Sequence, residues 1–343
     1  MASELEIKEL VETISLPGLG LTTSQLNLVQ GVEIQGTTVK LTLASSGLSE
    51  ARQAWLRNRV TDEVGKVTGI EKTEIEFKEF KPTELNKIRN IVAVISGKGG
   101  VGKSLVSGLL AVSLNRRGYS VGILDADITG PSIPKMFGLD SRPEGTEGTI
   151  LPVVSRSGIE AMSLNLILPQ EDEAVIWRGP VITRVIRQFW EDVLWGKRDY
   201  LIIDLPPGTA DAPLTVMQTF PIKGVVIVFT PQALGSMIVR KTVKMAQQMQ
   251  KPIIGLVENM SYLYIPEINK NMEIFGPSKA NEMIQSAKAP LLAKLPIDPL
   301  LTRLCDEGKI EEYRSEIVEQ LGREFLKSMK ALEETAKTPS GPV

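Results

Sequence analysis

Hydrophobic and polar positions follow one pattern before residues 79–89 and a different one after them. In the first part, apolar residues recur at helical spacing in two stretches and alternate with polar residues in others. The predicted elements are, in chain order, a helix over 4–14, strands over 26–30 and 33–43, a helix over 48–67 and a strand over 72–77. This order of elements predicts a compact α+β module.

After residue 89 the chain carries short, almost continuous apolar runs separated by segments of helical length. Such runs are typical of strands that are covered on both faces, and their alternation with helices indicates a doubly wound, mainly parallel sheet. The predicted strands are Ile91–Ile95, Val121–Leu124, Tyr200–Ile203, Val225–Phe229, Ile253–Val257 and Leu291–Leu295. We therefore expect an α/β domain over 90–335 after a small α+β domain over 1–80, with a linker over 81–89 and a flexible tail over 336–343.

Composition narrows the chemistry, because the 343 residues include no histidine and one cysteine. Ser-His-Asp triads, Cys-His pairs, histidine zinc sites and a disulfide within the chain are excluded. The 39 basic and 41 acidic residues give a net charge of −2, so bulk charge gives no reason to expect a nucleic-acid or membrane partner. No apolar run reaches bilayer length, and the N-terminus does not resemble a signal peptide. These features predict a cytoplasmic protein.

A phosphate-binding loop directly follows the first strand of the larger domain. The segment from Gly97 to Ser104 fits Gly-x4-Gly-Lys-Ser between a strand and a helix. We expect its backbone amides to surround phosphate oxygens, Lys103 to reach the β- and γ-phosphates of ATP, and Ser104 to bind Mg²⁺. The predicted nucleotide contacts are Gly97, Lys98, Gly99, Gly100, Val101, Gly102, Lys103, Ser104 and Leu105.

Carboxylates at the ends of two further strands complete the predicted site. Asp125 and Asp127 follow the second strand, and Asp204 ends the third. Because the chain has no histidine, a general base must be a carboxylate or the substrate itself. We expect Asp127 to position the attacking water, and Asp125 and Asp204 to join Ser104 around the magnesium ion.

The additional lysine of the loop, Lys98, resembles that of the deviant Walker A ATPases. The segments that resemble the Mrp/ApbC branch of that group are Asp125–Pro134, Trp177–Pro180, Asp199–Thr209, Thr230–Gln232 and Val257–Ser261. The resemblance implies a homodimer in which Lys98 reaches the partner's nucleotide and acts with Lys103 and Asp127 in catalysis. It also implies that Asn259 contacts adenine and that Pro296 lies against the base. The first eighty residues resemble a small iron-sulfur-assembly domain.

The chain departs from this family where family members bind a [4Fe-4S] cluster. They carry Cys-x-x-Cys after the Asn-Met-Ser segment, and a dimer shares four thiolates; this chain has Ile265 and Ile268 at those positions. An isoleucine side chain cannot bind iron, so we expect no iron-sulfur ligands here. Further departures are Ser45–Glu50 in place of a cysteine segment, Leu16–Gly18 in place of Asp-Pro-Glu, and Ile238 in place of an aspartate.

Two features near the C-terminus each have two interpretations. Cys305 is predicted to be a buried, inert thiol, whereas two copies meeting in a dimer would offer two ligands. The segment from Ile317 to Leu332 is predicted to be an amphipathic helix, and its mixed charges favour docking on the ATPase domain or a partner over a membrane.

The sequence predicts an ATP-binding and ATP-hydrolysing homodimer, with Mg²⁺, that acts on a client apoprotein or assembly protein in iron-sulfur cluster assembly or transfer. The alternative is a positioning or scaffold ATPase that recruits a protein, DNA or membrane. A nitrogenase-type reductase and a P-loop protein that binds nucleotide without turnover are further hypotheses.

Overall fold

The computed structural model describes residues 2–128, 130–167, 179–208, 211–265 and 268–337, without the side chains of 179, 180, 211, 233–238, 336 and 337. Some residues that bear on the family resemblance lie outside this description. Three are left out entirely, namely Trp177, Arg178 and Thr209, and three are described by their backbone alone, namely Gly179, Pro180 and Ile238. The chain forms two compact units. The first consists of Met1–Arg89, Ser141–Val154 and Arg187–Asp199, and the second of Asn90–Asp140, Ser155–Ile186 and Tyr200–Val343.

Strands and helices are numbered in chain order. The strands are β1 (Val29–Gln35), β2 (Thr38–Ala44), β3 (Lys72–Lys78), β4 (Lys87–Ser96), β5 (Val121–Asp125), β6 (Gly145–Thr146), β7 (Thr149–Ile150), β8 (Val153–Val154), β9 (Glu160–Ser163), β10 (Lys197–Asp204), β11 (Gly224–Phe229), β12 (Ile253–Glu258), β13 (Leu263–Ile265), β14 (Lys270–Met272) and β15 (Leu291–Lys294). The α-helices are α1 (Glu4–Glu12), α2 (Glu50–Val64), α3 (Pro82–Leu85), α4 (Lys103–Asn115), α5 (Ile133–Phe137), α6 (Gly179–Glu191), α7 (Asp211–Thr219), α8 (Ala233–Gln248), α9 (Ala280–Ala287), α10 (Pro299–Asp306) and α11 (Glu316–Lys337). Short 3-10 helices cover Leu164–Leu166 and Ile310–Glu312.

The first unit has a three-stranded sheet in the order β1-β2-β3. Strands β1 and β2 pair antiparallel around Gly36, whose φ of 61° suits a tight turn, and β3 runs parallel to β2. The strand predicted over 26–30 begins only at Val29, because Asn27 has a φ of 54° that interrupts an extended chain. Leu26 is nevertheless fully buried in the core, so this position is occupied by an apolar residue although it does not belong to a strand.

Two segments from the middle of the chain also belong to the first unit. Leu151 and Leu194 are buried in its core, and the Asn86 amide bonds the carbonyl of Val193 at 2.9 Å and the N–H of Gly196 at 2.9 Å. The spacing of hydrophobic residues along the sequence does not indicate that these later segments belong to the first unit. The domain limits proposed from the sequence, 1–80 and 90–335 with a linker between them, stay a prediction.

The strands of the second unit lie in the order β15-β12-β11-β4-β10-β5-β9. Strand β11 is parallel to β4 and β12, and β5 is parallel to β10 and β9. Every residue of β11 is buried, as the continuous apolar run predicts. The doubly wound α/β class is confirmed. Strand β9 was not predicted, because it has only four residues and two of them, Glu160 and Ser163, are polar.

Helix α11 packs its apolar face into the second unit, as the amphipathic pattern predicts for docking on the ATPase domain. Its buried residues are Val318, Leu321, Phe325 and Met329. The Ser113 hydroxyl of α4 donates to the carbonyl of Val318 at 2.9 Å, so the two helices lie close together. The predicted tail begins within this helix at 336, and 338–343 lie outside the described residues. Among described helices, none is long and apolar enough to cross a bilayer.

Candidate functional site

The loop between β4 and α4 has the backbone of a phosphate cradle. Gly100 and Gly102 have φ values of 74° and 80°, the left-handed region that glycine adopts without strain. A Cβ at residue 102 would also collide with the amide of Asn259. Helix α4 begins directly after this loop, at Lys103. The free amides of its first turn and its positive dipole end therefore favour an anion at the loop.

Asp204 lies at the centre of the charged site. Its carboxylate is fully buried and is contacted at Oδ2 by Lys103 Nζ at 2.7 Å and by Ser104 Oγ at 2.5 Å. Oδ1 accepts a hydrogen bond of 2.7 Å from Ser107 Oγ. The sequence predicted that Lys103, Ser104 and Asp204 converge, and the structure brings them together. Ser107 was not predicted, although its place three residues after Ser104 puts it on the neighbouring part of the same helix face.

Asp125 is buried beside Asp204, because β5 and β10 pair in parallel and place the two residues opposite each other. Its Oδ2 accepts hydrogen bonds from the backbone N–H groups of Ser132, at 2.9 Å, and Ile133, at 3.0 Å. Burial, and next the negative charge of Asp204, raise the pKa of Asp125 to about 7. These amide contacts orient the carboxylate toward the start of α5, so metal binding by Asp125 stays a prediction that its hydrogen bonds do not favour.

Asp127 lies at the same edge of the sheet. Its Oδ2 is 3.8 Å from Lys103 Nζ, and the residue is 8% exposed. This carboxylate therefore combines proximity to the ammonium group of Lys103 with limited access to water. The geometry is compatible with positioning a water molecule, a role that stays a prediction.

Lys98 contacts a residue of its own chain. Its Nζ donates to Gln232 Oε1 at 2.6 Å, just before α8 begins. The carbonyl of Lys98 accepts a hydrogen bond of 3.0 Å from Ser96 Oγ, which fixes the backbone of the loop. A role for Lys98 toward a partner's nucleotide requires its ammonium to leave Gln232, and that role stays a prediction.

The two residues predicted to contact the base follow the ends of two adjacent strands, β12 and β15. Asn259 follows β12 and is 2% exposed, and its Nδ2 donates to the carbonyl of Val101 at 2.9 Å. Its amide therefore holds the phosphate loop here. Pro296 follows β15 and is half-buried. Base contacts by both residues stay predictions.

Glu258, which ends β12, was not predicted and anchors the segment after it. This fully buried carboxylate accepts hydrogen bonds from the hydroxyls of Ser261 and Ser278, at 2.9 and 2.7 Å, and from the Lys279 N–H at 2.7 Å. The contacts tie both ends of residues 261–278 to the sheet.

Within that segment, Ile265 and Ile268 occupy the positions where the resemblance implies cysteines. Ile265 ends β13 of a small antiparallel hairpin with β14, and Ile268 is 61% exposed. Both side chains line a cavity of about 580 Å³ with Tyr262, Met272 and polar neighbours. Hydrocarbon groups here offer no lone pair to iron, so these residues do not fit a cluster.

Cys305 lies in α10 and is half-buried, more accessible than the buried thiol predicted from the sequence. Burial raises the pKa of Cys305 to about 11, with a smaller contribution from the charge of Asp306. The thiol therefore stays protonated at neutral pH, which supports the prediction of an inert side chain. Among described residues, no group of three or more acidic or cysteine side chains forms a metal site.

Family models match both parts of the chain. Residues 87–331 match the NUBPL iron-transfer P-loop NTPase model, and residues 4–77 match an iron-sulfur cluster assembly protein model. An iron-sulfur cluster carrier protein of Clostridium perfringens is 48% identical over 242 residues, covering 68% of this chain and 85% of the relative. An iron-sulfur cluster carrier protein of Aquifex aeolicus is 30% identical over 368 residues, covering 97% and 99%.

A solved structure shares the fold of the larger unit. It is a nucleotide-binding protein in complex with ADP from Archaeoglobus fulgidus, with cobalt, and it is 44% identical to this chain. The match has a TM-score of 0.62 and covers 68% of this chain and 93% of the other.

Proposed function

The chain belongs to the NUBPL iron-transfer P-loop NTPase family, and from that membership we propose an ATP-hydrolysing homodimer that serves iron-sulfur cluster assembly or transfer. The observation that carries the proposal is the cluster formed by Lys103, Ser104 and Asp204 at the phosphate loop. The carrier names of the relatives support the cellular role. The cysteine-poor composition supports a cytoplasmic location.

The donor set of the site fits Mg²⁺. Ser104 supplies a hydroxyl and Asp204 a carboxylate, and oxygen ligands of this kind are those that magnesium prefers. We propose that these two residues hold the ion, Ser104 directly and Asp204 directly or through its water shell. When bound, the ion supplies positive charge to the β- and γ-phosphates. Slow hydrolysis is part of this proposal.

The other steps of ATP binding and hydrolysis are assigned to groups of the protein itself. The amides of Gly97–Gly102 and the start of α4 cradle the phosphates, and Lys103 exchanges its contact with Asp204 for the β- and γ-phosphates. Asp127 orients the attacking water. Lys98, released from Gln232, approaches the nucleotide of the partner subunit and stabilises the negative charge that develops during hydrolysis.

The cluster itself is cargo, and this chain does not offer it the usual ligands. Two isoleucines replace the expected cysteines, and the single cysteine of the chain lies elsewhere, in α10. We therefore propose that nucleotide-driven changes of the dimer act on a client apoprotein or an assembly protein that holds the cluster. The side chains of Ile265 and Ile268 offer the cluster no ligand.

A positioning or scaffold ATPase is not favoured, because the relatives are named iron-sulfur cluster carriers. In addition, the apolar face of α11 is buried within the second unit and is not presented to a membrane.

The ATPase proposal is tested by comparing turnover of the wild type with Asp127→Ala and Asp127→Asn, under saturating Mg²⁺ and ATP. We expect a loss of about 100-fold or more with nucleotide affinity preserved. Wild-type turnover in the Asp127 variants would remove the assigned role. Absence of turnover in the wild type, with ADP binding intact, would identify a nucleotide-binding protein without hydrolysis.

A further inference from the structure

The carboxylate of Asp204 is held differently at its two oxygens. Oδ2 is contacted by Lys103 Nζ at 2.7 Å and Ser104 Oγ at 2.5 Å, the two groups that phosphate and metal engage in the proposed function. Oδ1 is contacted by Ser107 Oγ at 2.7 Å. One side of the carboxylate is therefore bonded to groups that change partners during the reaction cycle, and the other to a residue outside the phosphate loop.

A fully buried carboxylate is stable in its charged form only when donors surround it. If Lys103 turns to the phosphates and Ser104 turns to magnesium, both donors leave Oδ2. Ser107 is fully buried, and its position on α4 is fixed by the helix, so its hydroxyl does not need to follow either ligand. Its single proton is shared between Asp204 Oδ1 and the Lys103 carbonyl at 3.1 Å, and the carboxylate is the closer acceptor.

We infer that Ser107 is a positioning residue for the metal site: by holding Oδ1, it keeps Oδ2 of Asp204 directed at the magnesium ion that Ser104 binds. The inference rests on the proposed Mg²⁺-dependent function. Asp204 without this bond can rotate about its side-chain torsions, and the charge it presents to the ion then becomes less well placed. Loss of Ser107 should therefore weaken the metal contribution to nucleotide binding and leave the phosphate cradle intact.

A second buried serine of α4 provides a matched control. Ser113 is fully buried as well, but its hydroxyl donates to Val318 O and accepts from Arg117 Nη1 at 2.7 Å, away from the carboxylates. Ser113→Ala removes the same atom from the same helix. Ser107→Thr retains the hydroxyl and provides the conservative variant.

The test is calorimetric titration of ADP into the full chain, without Mg²⁺ and at increasing Mg²⁺, for wild type, Ser107→Ala, Ser107→Thr and Ser113→Ala. We expect Ser107→Ala to bind ADP without Mg²⁺ within about twofold of wild type and to need about tenfold more Mg²⁺ for half of the metal-dependent gain. Ser107→Thr should recover most of this loss. Ser113→Ala should keep the wild-type Mg²⁺ dependence even where its unfolding temperature falls.

A normal Mg²⁺ dependence in Ser107→Ala would overturn the inference and leave the proposed function standing. An equal loss of ADP affinity with and without Mg²⁺, or the same Mg²⁺ shift in Ser113→Ala, would assign Ser107 a structural role and overturn it as well. Absence of any Mg²⁺ effect in the wild type would contradict the metal in the proposed function and the inference with it. Circular dichroism melting of each variant identifies any that fail to fold.

Discussion

The phosphate loop and the hairpin of β13 and β14 both follow strand ends of the same sheet, but only the first presents a complete chemical site. At the loop, Asp204 is buried with Lys103, Ser104 and Ser107 as donors. At the hairpin, Tyr264, Ile268 and Met272 are 48%, 61% and 50% exposed. Phosphate binding at a P-loop needs no thiol, whereas binding of an iron-sulfur cluster depends on thiolates. The residues required for the two activities are therefore separate, and this chain can keep the first set without the second.

Removal of Lys103 should have the largest effect, because it takes away the ammonium group that contacts the buried carboxylate of Asp204 at the centre of the site. We expect Lys103→Ala to lower ATP turnover about 1000-fold, since a charge that stabilises the transferring phosphate is lost. Steady-state phosphate release measures this. Lys327→Ala, with a side chain 79% exposed on α11, is the control and should keep wild-type turnover. A modest loss in Lys103→Ala would show that the loop is not the hydrolytic site.

Cysteines placed at the hairpin test the other region. With Ile265→Cys and Ile268→Cys combined, we expect anaerobic reconstitution to raise bound iron to about four atoms per dimer, because four thiolates are the usual ligand set of one cluster. Iron and sulfide are measured by colorimetric assay. The pair Ile265→Ser and Ile268→Ser introduces polarity without thiolates and should bind no more iron than wild type. Equal iron in both pairs would separate iron binding from these positions.

Substitution of Lys98 tests whether nucleotide binding and ATP hydrolysis depend on different residues. We expect Lys98→Ala to lower turnover about 100-fold while ADP affinity changes less than about threefold, because its proposed role belongs to the dimer. ADP titration and ATP turnover are measured on the same preparation. If affinity and turnover fall together, Lys98 acts within its own chain, consistent with its contact to Gln232.

The raised pKa of Asp125 leads us to expect that the stability of the protein depends on pH. Its pKa in the folded protein, about 7, lies above the ordinary aspartate value of 3.8. The folded state therefore binds this proton more tightly than the unfolded state, so the stabilisation is present below pH 4 and is lost as pH rises to 7. Relative to Asp125→Asn, wild type should lose a few kcal/mol of unfolding free energy across that interval. Urea unfolding at several pH values measures it; parallel curves would contradict the assignment.

A smaller effect is expected where α11 packs on α4. A Cβ at residue 322 would collide with the Ser113 hydroxyl, so Gly322→Ala should lower the free energy of unfolding by about 1–3 kcal/mol. Adding Ser113→Ala removes the colliding oxygen and should recover part of the loss, which denaturant unfolding can measure. Gly130→Ala, with open space around the new methyl, is the control. Equal stability of Gly322→Ala and wild type would show that the helices are less closely packed.

The sequence predicted the apolar strands of the sheet and the convergence of Lys103, Ser104 and Asp204, because continuous hydrophobic runs and a spaced loop motif are local signals. It did not predict Ser107 or Glu258. Both act through partners that are distant in sequence or lie in another element, and a serine in an apolar helix carries no periodic signal. The resemblance implied cysteines at the positions that Ile265 and Ile268 occupy, and the structure places Ile265 half-buried at the end of β13 and Ile268 exposed before β14.

The most direct measurement is iron and sulfide content of the wild-type protein after anaerobic reconstitution, with ATP turnover measured on the same sample. We expect ATP hydrolysis together with iron and sulfide at the level of a protein without cluster ligands. A stoichiometric cluster that survives desalting would contradict the separation of the two sites and would require ligands other than residues 265 and 268.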